Sequence, residues 1–144
     1  MTGPSAETRL LTALLEAEHA AVYGYGVLGA RLGLGARRVA FTAFEAHRAR
    51  RDELEGLLRS RGDEVAVTRT AYDVAAPSAA AAYALAVRVE EGLAVRWRDL
   101  VAGTDAADLR TLGVGGLTDS AVRAARWRRE QGRRPATVAL PGQA

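Results

Sequence analysis

The sequence predicts an all-α fold, an antiparallel four-helix bundle with one long crossover between the second and third helices. Three observations carry this prediction. Apolar residues recur at three- and four-residue steps through four segments of about 25 residues each. Clusters of glycine, threonine and proline separate the segments. The separators run short, long, short.

The first segment starts near Ser5, a residue type that caps helix N-termini, with Glu7 and Thr8 in the first turn. Leu11, Leu14, Leu15, Val22, Tyr25, Leu28 and Leu32 form its apolar stripe, and Gly33 to Ala36 (GLGA) punctuates its end. The second segment runs from about Arg37 to Arg61, with Ala40, Phe44, His47, Arg51, Leu54 and Leu58 on one face. The periodicity then fails over RGDEVAVTRTAYDVAAPS, where Gly62, Thr68, Thr70 and Pro77 interrupt it. The third segment spans Ser78 to about Val101 and aligns Tyr83, Ala86, Glu90, Leu93 and Trp97. Thr104 or Asp105 caps the fourth.

In that fourth segment, Gly113, Gly115 and Gly116 each cost ~1 kcal/mol relative to alanine in a helix. Leu109, Leu112, Gly116, Arg123, Ala124 and Trp127 nevertheless keep one face, which predicts one long helix packed closely at its glycines. A kink at Leu112–Gly116 is the alternative. The bundle is assigned to residues 1–131, and 132–144 form a tail in which Pro135 and Pro141 exclude helix.

Short links force each helix pair into an antiparallel hairpin. The middle link of about 15 residues, at ~3.3 Å per residue, reaches ~50 Å, the length of a bundle. This is the connection pattern of the ferritin-like bundle.

Helical phase at ~100° per residue sorts the polar side chains into inward and outward. Glu18 falls near the centre of the first stripe, whereas Glu16 is off it and His19 is at its edge. The spacing Glu16-x-x-His19 therefore reads as coincidence. His47 and Arg51 fall on the second stripe and Glu90 on the third, with Asp119 and Arg123 flanking the fourth. Folding the hairpins about their turns sets these residues at similar mid-bundle heights. The expected cluster is Glu18, His47, Arg51, Glu90, Asp119 and Arg123. One reading pairs the charges as a core network, Glu18 with Arg51, and Glu90 with His47 or Arg123. The other gathers metal ligands from facing helices. Arg51 inside the cluster favours the first, because it supplies the counter-charge that a metal would bring.

Composition narrows the classes further. Hydrophobic residues make up 49% and charged residues 26%, the balance of a chain that folds. The absence of cysteine removes disulfides, thiolate metal sites and thiol catalysis. All 20 basic residues are arginine, which reads as the codon bias of a GC-rich genome. A net charge of +3 demands no nucleic-acid partner. No apolar run approaches the ~20 residues of a membrane span, and no signal peptide opens the chain, so the expected location is the cytoplasm. The arginines of VRAARWRREQGRR suit the C-terminal end of a helix dipole, or alternatively a small anionic partner. Gly24, Gly26 and Gly29 lie inside a helix and form no phosphate loop.

EAEHAAVYGYGVLGARL, AHRARRDEL, RWR and the closing PATVALPG give the chain a resemblance to a ferritin-like domain family of unknown function from GC-rich, actinobacterial-type genomes. The resemblance spans essentially the whole chain and implies a fold rather than a reaction. Di-iron members of the ferritin-like superfamily take one Glu from each of two helices and Glu-x-x-His from each of the other two. By that resemblance Glu18 matches the first-helix glutamate, His47 the second-helix histidine and Glu90 the third-helix glutamate. Phe44 stands where a glutamate is needed three residues before His47. The fourth helix has no Glu-x-x-His, its closest remnant being Asp119-x-x-Val122. The resemblance thus implies a degenerate di-iron site, and the reading that follows is a non-catalytic scaffold without cofactor that pairs as a homodimer through an apolar helix face. The alternative is a metal-binding protein or metal-dependent oxidoreductase holding one divalent ion, iron or manganese, on Glu18, His47 and Glu90.

Overall fold

A computed structural model describes residues 3–65, 69 and 72–143, and Thr68 and Thr70 of the middle link lie outside them. Four helices account for its regular structure, α1 (Ala6–Gly29), α2 (Leu34–Ser60), α3 (Ala79–Gly103) and α4 (Ala107–Glu130), with no strand among the described residues. None of the helices is long and apolar enough to cross a membrane.

Local chemistry explains most helix ends. The Ser5 hydroxyl accepts the Thr8 amide at 3.0 Å, and Ser78 accepts that of Ala81 at 3.1 Å, each satisfying a donor that the first turn leaves open. Gly62 and Gly132 close α2 and α4 with positive φ of 76° and 73°. At both ends the next residue reaches back five positions, Asp63 to the Leu58 carbonyl and Arg133 to that of Arg128.

Two ends differ from expectation. α2 starts at Leu34 rather than Arg37, because the extended Gly33 turns the chain directly into the next helix. α4 is capped by Ala106, without a side-chain bond, rather than by Thr104 or Asp105. The Thr104 hydroxyl is engaged elsewhere: it donates to Glu7 and accepts the Ala106 amide. Glu7 also takes Arg61 at 3.0 Å, so one contact group ties α1 to the ends of α2 and α3. The Thr104 hydrogen bond, then Arg61, holds the Glu7 carboxyl below its ordinary value.

Cross-helix pairs fix the topology. Glu7 meets both Arg61 and Thr104, while further along α1 Glu18 meets His47 and Tyr25 meets Glu90. α1 is therefore antiparallel to α2 and to α3. Arg128–Glu91 and Gly116–Trp97 make α4 antiparallel to α3. α2 and α3 consequently run parallel, so the end of α2 and the start of α3 lie at opposite ends of the bundle. Packing follows the same order, α2 on α1, α1 on α3 and α3 on α4.

The core divides in two. Tyr25, Leu28, Ala43, Leu85 and Trp127 belong to one apolar cluster, and Leu11, Leu14, Leu54, Leu93 and Trp97 to the other. Glu18, His47 and Glu90 sit between them in sequence on their respective helices, and all three are buried.

α4 is continuous through Leu112–Gly116. A Cβ at Gly113 would lie 2.6 Å from the Val101 side chain, and one at Gly116 would collide with the Trp97 indole. Gly115 meets nothing. These glycines therefore separate by sign. Gly115→Ala is expected to stabilise the fold by ~0.5–1 kcal/mol through helix propensity. Gly116→Ala is expected to destabilise it by ~1–3 kcal/mol through overpacking against Trp97. Urea denaturation of the two variants checks both.

Candidate functional site

At mid-bundle α1 contributes Glu18, α2 His47 and α3 Glu90, with side chains 2%, 1% and 0% exposed. Each sits on the inward stripe of its helix, so the apolar pattern that builds the core also delivers the three charges into it. The His47 ring lies between the carboxylates. Nδ1 is 2.7 Å from Glu18 Oε2, and Nε2 is 2.9 Å from Glu90 Oε1.

An ionised carboxylate only accepts, so the ring can satisfy both partners only by donating from both nitrogens, which requires the imidazolium. Burial alone depresses the imidazole. The hydrogen bonds to Glu18 and Glu90, and the charges of both, outweigh it and raise His47 from 6.5 to about 9. Burial raises the Glu18 carboxyl above 4.5, against the pull of His47.

Two aromatic residues complete the arrangement. The Tyr25 hydroxyl donates to Glu90 Oε1 at 2.6 Å and accepts from Trp127 Nε1 at 2.8 Å. Its ring stacks on His47 with centroids 5.2 Å apart, which places a π face against the imidazolium. Burial, and then the charge of Glu90, keeps the phenol neutral well above its ordinary range. Arg123 approaches Glu90 Oε2 at 4.0 Å, outside hydrogen-bond reach, and no described group hydrogen-bonds that oxygen. Two carboxylates, one imidazolium and one guanidinium sum to zero charge.

A crevice of about 300 Å³ between α2 and α4 reaches Glu18 and His47. Arg50 stands at its rim, with its guanidinium 5.2 Å from the centroid of the Trp97 ring and ion pairs to Glu53 (2.8 Å) and Asp119 (3.1 Å).

The structure brings Glu18, His47 and Glu90 together, with Arg123 beside them. Arg51 and Asp119 are corrections. Arg51 pairs with Asp52 at 2.7 Å instead of Glu18, its long stem carrying the guanidinium toward solvent while His47 supplies the buried cation. Asp119 is half exposed on Arg50, because Gly113, Gly116, Ser120, Ala124 and Trp127 define the inward face of α4, leaving Asp119 one residue, ~100°, off it. His19, read at the edge of its stripe, is buried 3.5 Å from Glu55, whereas Glu16 is exposed.

The polar roles of Tyr25 and Trp127 were missed. Both read as core aromatics by spacing. The available signal was that a buried phenol or indole must find a partner, and Tyr25 lies two turns from Glu18 on the same stripe.

The comparisons agree with this architecture. A crystal structure of a conserved hypothetical protein from Mycobacterium tuberculosis is similar with a TM-score of 0.84 and 37% identity, over 90% of this chain and 99% of that one. No curated protein matches the chain. Residues 10–144 match the family described as Domain of unknown function (DUF4439), and the chain belongs to that family.

Proposed function

We propose that the chain is a ferritin-like bundle serving as a non-catalytic scaffold, in which protonated His47 fills the central position that metal occupies in di-iron members of that superfamily. One observation carries the reading: both ring nitrogens of His47 are occupied by carboxylates. The two nitrogens face opposite edges of the imidazole, so the carboxylates lie on either side of the ring and share no common point with it. A divalent ion held by Glu18, His47 and Glu90 would have to displace the imidazolium and break two charge-assisted hydrogen bonds. Among the described residues no three His, Asp or Glu side chains converge to hold a metal ion. Phe44, packed against the core, supplies no further ligand. The donor set does not fit the di-metal site of the superfamily, and the proposal assigns the chain no metal-dependent step.

The layer has a structural consequence. Buried ions are costly to desolvate, and they are tolerated when paired and hydrogen-bonded. Here the pairing works only in one register of α1, α2 and α3, which favours a single arrangement of the helices.

The metal-binding alternative is tested by aerobic loading of the purified chain with iron(II) or manganese(II), desalting and metal analysis. The proposal predicts a content far below one ion per chain. Stoichiometric metal that Glu18→Gln abolishes would overturn it.

Stability should also depend on pH. The unfolded histidine titrates near 6.5 and the folded one at about 9, so the folded chain holds an extra proton between those values. The contribution is complete below 6.5 and is lost as pH rises through 9. At ~1.4 kcal/mol per pH unit it amounts to on the order of 3 kcal/mol. The raised Glu18 carboxyl acts in the same direction, starting lower, as pH rises from 4.5. Urea melts from pH 6.5 to 9.5 should show the decline, and His47→Gln should flatten it.

A further inference from the structure

The C-terminal segment forms a wall rather than a loose end. Leaving α4 through the Gly132 turn, it is tied at Ala136, whose carbonyl accepts from Arg128 Nη1 at 3.1 Å. Arg128 is 4% exposed and is held from its other side by Glu91 at 2.6 Å. Near its end Gly142 lies so close to α3 that a Cβ there would be 2.7 Å from the Ala94 carbonyl oxygen. Both ends of the wall are thus fixed on the bundle, and a groove of about 820 Å³ is preformed between it and α4. That volume is in the range of small-molecule sites, ~300–1,000 Å³.

The lining has two characters. Val122 and Ala125 from α4 and Val138 from the wall make an apolar surface. Arg126, Arg129 and Arg134 surround it, and none of them takes part in an ion pair among the described residues. Glu130 is the only acidic residue lining the groove, so the lining carries three cations and one anion, a net +2. Val122 and Val138 are 63% and 49% exposed, two of the six exposed large hydrophobics among the described residues.

We propose that this groove binds a small amphipathic anion, a carboxylate or phosphate monoester carrying an aliphatic body. Charge complementarity selects the head group, since guanidinium forks match carboxylate and phosphate oxygens. The valine and alanine surface selects the body, which a free inorganic anion lacks. The site lies on the outer side of α4 and does not depend on the reading of the His47 layer.

The test is an NMR titration of the ¹⁵N-labelled full chain with octanoate. Saturable shifts confined to residues 121–129 and 134–141 are expected, with both 1-octanol and acetate binding at least tenfold more weakly. The double variant Arg126→Gln/Arg129→Gln should keep its melting temperature, since both side chains are exposed, and lose at least tenfold in octanoate affinity. No saturable response up to about 10 mM octanoate, the weak end of specific binding, would overturn the proposal. An equal response to 1-octanol would also overturn it. Unchanged affinity in the double variant would do so too, leaving the arginines as partners of the α4 dipole alone. Binding to phosphatidylglycerol vesicles without binding to octanoate would replace the site by a membrane-surface contact.

Discussion

A cation with two fixed donor directions, placed between two buried carboxylates, is the constraint around which this bundle is arranged. Glu18 and Glu90 come from helices that pack on each other, and each alone would be expensive to bury. His47, from α2, which also packs on α1, satisfies one oxygen of each at 2.7 and 2.9 Å. The link is geometric as well as electrostatic. A metal ion accepts ligands converging from many directions, whereas an imidazolium needs its acceptors on opposite edges. A bundle built for the ring sets its carboxylates apart.

The rest of the layer follows. Glu90 Oε1 takes a second donor, Tyr25, whose oxygen in turn accepts from Trp127, so α1 and α4 are tied to Glu90 of α3 through aromatic residues that also fill the core. Arg123 balances the remaining charge from 4.0 Å. Trp97 packs into the space that Gly116 leaves, and Arg50 covers its ring. Apolar clusters flank the layer on both sides, and the low local dielectric strengthens its buried hydrogen bonds.

Much of this was legible in the sequence, and the limits have physical causes. The short-long-short links require two hairpins and a crossover, which the parallel α2 and α3 display. Helical phase gives Glu18, His47 and Glu90 their inward faces, because backbone geometry alone sets the direction of a Cβ. Phase cannot say where a long side chain ends. Arg51 starts on the inward stripe and leaves it, while Arg50, one residue earlier, covers Trp97. The helix start at Leu34 was hidden because glycines that stop one helix can open the next. Hydrogen-bond partners such as Tyr25 on Glu90 depend on three helices at once, so no single segment announces them.

The central claim is the protonation state of one ring. Long-range ¹⁵N–¹H NMR of the selectively ¹⁵N-histidine-labelled chain reads both nitrogens of His47 directly, with His47→Gln assigning the signals. Both nitrogens are expected to carry protons at pH 7.5, and the ring to titrate near 9. A neutral His47 tautomer at pH 7.5 would contradict it.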